Sequence, residues 1–395
     1  MVNARDCLLI FCHDCPSRFK PSKVIELGQG TIMHLRKLVR ASLYLTIGCS
    51  IGSFGAAADE ELPAVHTLPC ETTCANSSAA TGISQPLPAW PGEFLTSLDT
   101  YVEGYVRLHF KIDTDGHVSD ISVVSIVGPK AFADNSVRTV KDWIYKPAIL
   151  NGKAVATCHT LTVKFKMSNW SAPGARPEIV RAYKEAISNA GDNKWGEAQA
   201  VLTDALAKPK LNLYERGMLS NVAALIAMQK SDYLEAHRLS VEALAFSSDD
   251  LPASVHRSLL QTRIKSASML GDIVDALDAT DKLKSMRGLD PSDPTIKFVE
   301  AVRSKADEMP VFATTAKIPE VEMGQVTYFG LYRRNFAFQD IKGSLTGFTL
   351  TCKQQSIESQ ITDTAEWHVP RSWSDCRVLV HGAPGTTFKL AQATE

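Results

Sequence analysis

The strongest constraint in this chain is a run of strict alternation. Val106, Leu108, Phe110 and Ile112 alternate with Tyr105, Arg107, His109 and Lys111. A period of two puts the apolar row on one face of a strand, against a core. Asp113-Thr114-Asp115-Gly116 follows, and an Asp-Gly pair between strand patterns marks a hairpin. The fragment lacks the third acidic ligand of a calcium loop, and Gly116 stands out of register for one, so it reads as a turn. A second strand runs from His117 to about Val127. Its apolar parity shifts between Val118 and Ile121, which places a bulge there. Ala133, Val137, Val140 and Ile144 then fall on one helix face, and Pro147 stops that helix. Asn151-Gly152 makes the next turn. Leu161, Val163, Phe165 and Met167 alternate with Thr160, Thr162, Lys164 and Lys166 to give a third strand. The order is strand, strand, helix, strand.

Five local features sit around that order. Trp90-Pro91 precede the first strand and Gly104 opens it. Asp115-Gly116 make the hairpin. Trp143-Ile144-Tyr145-Lys146-Pro147-Ala148 follow the helix, and Gly152 precedes the last strand. In this sequence of features, residues 87–168 resemble the TonB/TolA-type C-terminal domain family, over about a fifth of the chain. The resemblance implies a small β-β-α-β fold in a periplasmic protein that binds protein rather than catalyses. It also implies that the last strand offers a free edge to an extended peptide, which adds as a further strand. The edge residues would be Thr157, His159, Thr160, Leu161, Thr162, Val163, Lys164, Phe165 and Lys166. The lysines there discourage indiscriminate pairing.

The N-terminus agrees with export. His34, Arg36, Lys37 and Arg40 form a basic stretch after Met33. Ala41 to Ala58 carries no charge and ends in Ala56-Ala57-Ala58, before Asp59-Glu60-Glu61. These are the parts of a secretory signal peptide over 33–58, cleaved between Ala58 and Asp59. Translation is then expected to start at Met33, with 1–32 an unstructured mis-annotated start. Two alternatives stay open. Thr46-Ile47-Gly48-Cys49 loosely resembles a lipoprotein cleavage site, and the same segment could stay as a membrane anchor.

Export puts the mature cysteines in an oxidising compartment, where they can pair. Cys352 and Cys376 share the C-terminal β-rich segment and are the expected bridge. Cys70 and Cys74 can pair with each other, which leaves Cys158 as the odd thiol. Cys12-His13-Asp14-Cys15 is half of a zinc site with no second half nearby.

After a linker at 59–86 and the 87–168 domain, 176–306 is helical. Trp195, Tyr233 and Ile273 open three helices 38 and 40 residues apart, each after a longer helical stretch. Helix pairs at such a period resemble tetratricopeptide repeats. Pro310 to Pro319 reads as a break. Residues 320–395 read as a small antiparallel β domain, with Arg333-Arg334 in a solvated turn. The fold class is therefore α+β and multidomain.

No Gly-x-Ser-x-Gly, His-Glu-x-x-His or phosphate-cradling loop is present, so no catalytic residues, cofactor or metal are expected. His109 and His159 can come near each other across the sheet, and Trp143 and Tyr145 read as core. With 42 basic against 43 acidic side chains, no basic excess is available for nucleic acid. The expected partner is a protein or peptide of the envelope or outer membrane. Two roles remain: a soluble periplasmic scaffold, or a membrane-anchored TonB-type energy transducer coupled to an outer-membrane transporter. The latter needs a long spacer, and 28 residues reach at most roughly 95 Å.

Overall fold

A computed structural model describes residues 65–67, 80–91, 102–150, 152–166, 174–247, 251–290, 292–320, 326–352, 355–361 and 365–394. The expected signal segment with its cleavage point at Ala58 and Asp59, the pair Cys70 and Cys74, and Met167 lie outside the described residues. Among the described residues no helix is long and apolar enough to cross a membrane.

Two short strands, β1 (Val65–Thr67) and β2 (Thr81–Ser84), lie inside the stretch read as a linker. The alternating region follows as β3 (Gly104–Ile112), β4 (Val118–Val127), α1 (Lys130–Lys141), β5 (Ile144–Lys146), β6 (Ala148–Leu150), β7 (Lys153–Val155) and β8 (Thr157–Phe165). β3 is the middle strand of an antiparallel sheet of order β4-β3-β8. The expected bulge is present: Lys111 pairs with Ser119 but His109 with Ser122, and the bulged Asp120 has a φ of 49°. At the hairpin, Gly116 has a φ of 89°, and its carbonyl accepts the Tyr145 amide at 2.8 Å. A Cβ there would strike the Tyr145 carbonyl, so only glycine fits.

The helix ends earlier than the sequence implied. α1 stops at Lys141, and Ile144 is 39% exposed in β5 rather than on the helix face. β5 pairs with β2, which draws 144–146 into extended backbone, as the residue before Pro147 prefers in any case. Below the sheet, α1 closes a core of Val106, Leu108, Phe110 and Ile112 with Phe132, Ala133, Val140, Trp143, Tyr145, Val163 and Phe165.

The helical stretch forms α2 (Pro177–Gly191), α3 (Trp195–Leu206), α4 (Leu213–Gln229), α5 (Tyr233–Ser247), α6 (Ala253–Leu270), α7 (Ile273–Lys284) and α8 (Pro294–Glu308). The three short helices begin at Trp195, Tyr233 and Ile273, as read. Their ends have local causes. Asn212 and Glu215 form a capping box at the start of α4, and Arg176 grips Glu215 at 2.8 Å. α6 ends on Gly271, with a φ of 81°. Between α6 and α7, Arg263 forks onto Asp275, and His237 Nε2 lies 3.0 Å from the same carboxylate.

The C-terminal part has β9 (Val311–Lys317), β10 (Val326–Gly330), β11 (Asn335–Lys342), β12 (Leu345–Cys352), β13 (Gln355–Ser359), β14 (Glu366–His368), β15 (Arg377–Gly382) and β16 (Thr387–Ala393). A five-stranded sheet, β1-β14-β11-β16-β9, faces a four-stranded one, β10-β15-β12-β13. Phe336, Phe338, Phe348, Trp367 and Phe388 fill the space between them. Among the described residues the strand pairs of these two sheets are antiparallel except β1 with β14, which is parallel.

Two readings need correction. The break at Pro310–Pro319 is strand β9, whose inward row includes a hydroxyl: Thr314 Oγ1 donates to the Gly271 carbonyl at 2.9 Å, so its polarity hid a buried row. Arg333 and Arg334 do not form a solvated turn. Arg333 donates to the carbonyls of Ala306, Met309 and Pro310 at the end of α8, and Arg334 to those of Pro370 and Trp373.

The bridge Cys352–Cys376 is formed, and Cys158 is the free cysteine among the described residues. It closes a loop with a sequence separation of 24. Reduction, or Cys376→Ser, is expected to cost about 3 kcal/mol by freeing the unfolded chain. A urea midpoint that does not move on reduction would count against that role.

Sequence periodicity placed one face of β3 in a core. The structure buries both. Tyr105 is 0% and His109 5% exposed, although they alternate with the apolar row. The reason is stacking. The four-stranded sheet lies across this second face, with β10 near β4 and β13 near β8. In β15, Val378 and Val380 face the sandwich core while the buried Leu379 faces away from it. The α1 layer, the three-stranded sheet, the four-stranded sheet and the five-stranded sheet thus form successive layers of one unit, Pro63–Glu395.

Candidate protein-interaction edge

Strand β8 is hydrogen-bonded to β3 on one side and, among the described residues, to no strand on the other. Its neighbours fix its position. Phe165 stacks on Phe132 with ring centroids 4.1 Å apart, and Trp90 meets both rings edge-on at 5.5 and 5.8 Å. Gly104, paired with Phe165, leaves room for the Phe132 ring and the Val127 carbonyl. Trp143 is buried and donates from Nε1 to the Pro86 carbonyl at 2.9 Å. Tyr145 packs beside it at 6.4 Å, and Ala148 is buried. Trp143 and Tyr145 are therefore core side chains. Pro91 and Pro147 are half-buried, Asp115 accepts the His117 amide at 3.1 Å, and Gly152 takes a φ of 77° between β6 and β7.

Along β8, Thr157, Val163 and Phe165 are buried, and His159, Leu161 and Thr162 are half-buried. Thr160, Lys164 and Lys166 are exposed. The strand therefore keeps exposed side chains, whereas β3 beside it has none and only Arg107 and Lys111 are half-buried.

His109 and His159 do not meet. They stand on opposite faces, with His159 paired to Phe110 and stacked near its ring at 6.2 Å. His109 instead reaches Thr160 Oγ1 with Nδ1 at 3.2 Å, and faces the C-terminal sheet. Burial, with His381, His159 and Arg107 adding repulsion, lowers its pKa to about 4. Burial also lowers His159 and His381 and raises the Cys158 thiol. Cys158 Sγ lies 3.0 Å from Ser356 Oγ, a contact between the two sheets. Sequence reasoning had no access to His381 or Glu358 as neighbours of His109, because more than 240 residues separate them in the chain. Among the described residues no group of three or more His, Cys, Asp or Glu side chains is placed to hold a metal ion.

A family model described as Gram-negative bacterial TonB protein C-terminal matches residues 99–167. Among solved structures, the solution NMR structure of the Pseudomonas aeruginosa TonB CTD is 26% identical. It covers 25% of this chain and 95% of that one, with a TM-score of 0.22. No curated protein matches the chain. The family match falls on the strands and helix that carry Gly104, Asp115-Gly116, Trp143, Tyr145 and Pro147-Ala148, so residues 99–167 are a TonB C-terminal-type domain, followed along this chain by a helical array and a β-sandwich.

Proposed function

We propose that this protein is a periplasmic scaffold that binds an envelope or outer-membrane protein by strand addition along β8. The observation that carries this reading is the one-sided pairing of β8 within the order β4-β3-β8. An unpaired edge presents a row of N–H and C=O groups that an extended segment can satisfy. The second face of the sheet is already covered by the C-terminal strands, so recognition is confined to the edge. Lys164 and Lys166 flank it and favour a segment carrying acidic residues. The helix pairs α2 to α7, with their tetratricopeptide-like spacing, offer a second surface to another partner.

The test is site-specific photo-crosslinking of the full chain in a Gram-negative cell. A benzophenone side chain at Thr160 or Lys164 is expected to capture one envelope protein, and the same probe at Glu300 on α8 is not. A synthetic peptide from the captured segment should compete. Equal capture at Glu300, or no competition, rejects the edge. Fractionation separates the two roles: a soluble chain beginning at Asp59 fits the scaffold, whereas a membrane-bound chain retaining 33–58 fits an anchored energy transducer.

A further inference from the structure

Tyr105, Arg107 and His109 share the face of β3 that the four-stranded sheet covers. From that sheet, β15 turns Leu379 and, two residues earlier, Arg377 toward β3, and Tyr328 of β10 pairs with Leu379 on the same side. Helix α7 closes in on β10 at Gly330, where a Cβ would strike Val274. Asp275, Asp278 and Lys282 stand at i, i+3 and i+7, on one face of α7. Asp278 takes Arg377 at 2.9 Å, and Asp275 takes Arg263 of α6.

Two cations are left over at this junction. Arg107 and Lys282 make no hydrogen bond or ion pair among the described residues. Arg107 is half-buried, but none of its nitrogens is closed off from solvent, and Lys282 is exposed. Burial lowers the pKa of both, Arg263 repels each of them, and Arg107 repels Lys282. Asp275 counters this, but it is already shared by Arg263 and His237. Asp272, at the start of α7, is buried, and burial pushes its pKa up to about 7, so it supplies only part of a charge near neutral pH. Arg107, Arg263, Lys282 and Arg377 thus stand against Asp275 and Asp278. A half-buried guanidinium without a partner costs free energy that an anion can recover.

We infer that this junction binds the phosphoryl group of a small phosphorylated molecule, Arg107 forking onto two of its oxygens and Lys282 taking a third. A guanidinium matches two phosphate oxygens in one plane, and an ammonium adds a point charge beside it. Two unpaired cations suit a dianion, whereas a monocarboxylate would leave one of them uncompensated. Arg263 and Arg377 hold the carboxylates that would otherwise repel the ligand. The site uses side chains on the covered face of the sheet, not the backbone edge of β8, and the two readings stand or fall independently.

Isothermal titration of the full chain with glycerol 3-phosphate, against acetate at the same ionic strength, tests this. Saturable binding of the phosphate ester and none of acetate is expected. Arg107→Met should weaken it roughly tenfold or more, the size of a lost charge-assisted hydrogen bond. Lys282→Met, at an exposed position, should weaken it by a similar factor, and Lys184→Met on α2 should not. Without ligand, the urea midpoint of Arg107→Met should not fall, because the substitution removes an unpaired charge. Should that variant fail to fold, Lys282→Met still decides. Vesicles carrying phosphatidic acid separate a lipid headgroup from a free molecule. Binding to the vesicles alone, equal binding of acetate, binding that survives both substitutions, or no saturable binding overturns the assignment.

Discussion

Replacing Asp275 with alanine is expected to lower folding stability by about 3–5 kcal/mol, the cost of stranding one partner of a buried ion pair. Arg263 and Asp275 are 14% and 17% exposed and are joined by two parallel hydrogen bonds. Burial opposes the Asp275 charge, but the Arg263 fork and His237 outweigh it and hold the carboxyl well below the usual carboxylate range. Nearby Asp272 is pushed the other way, by burial and then by the Asp275 charge. Without Asp275, the guanidinium stays buried beside Arg107 and Lys282, whose own charges burial already disfavours. Asp275 sits where α6 and α7 meet the C-terminal strands β9 and β10, and Asp278, one turn further on, pairs with Arg377 of β15 at 2.9 Å. The loss should therefore loosen the contact between layers as well as α7. Urea unfolding of the single variant measures it. The double variant Arg263→Met, Asp275→Leu should recover most of the loss, because it leaves no charge unpaired. A single variant within about 1 kcal/mol of the parent would mean that the pair is effectively hydrated.

Acid is the second lever. His109 titrates at about 4 in the folded protein, against 6.5 for an ordinary histidine. Below pH 6.5 the unfolded chain takes up a proton that the folded chain refuses until about pH 4. Stability is thus fully present above pH 6.5 and falls through the window between those values, by about 3 kcal/mol for this one group. His381, His159 and Arg107 surround the ring and resist its charging, and His159 and His381 shift in the same direction. His109→Phe removes the largest part of this slope. It also removes a buried Nε2 that has no hydrogen-bond partner among the described residues, so the variant should be at least as stable as the parent at pH 7. Urea midpoints at pH 7, 5.5 and 4.5 for both proteins decide this. An unchanged slope in the variant would place the acid sensitivity elsewhere.

The small domain was legible in the sequence because its signals are local. The alternation from Tyr105 to Ile112, the Asp115-Gly116 turn and the parity shift at Ile121 each depend on residues close in the chain. The same holds for Trp195, Tyr233 and Ile273 as helix starts. Local reading failed where a distant partner overrode it. Ile144 continues the helical spacing, but pairing with β2 makes it a strand residue. Thr314 breaks an apolar row in sequence, yet its hydroxyl is satisfied by Gly271 from another element. Arg333 and Arg334 look like surface charge until the open carbonyls at the end of α8 and at Pro370 come within reach.

The free edge and the covered face divide in the same way. Which residues form β8, and which of them point each way, follows from a period of two. That Tyr105 and His109 are buried and that His109 meets His381 follow only from the stacking of the C-terminal sandwich on the TonB C-terminal-type sheet. Alternation reports two faces but not what each will touch. Tyrosine and histidine can lie against water or against another sheet, so only the tertiary contact decides between them.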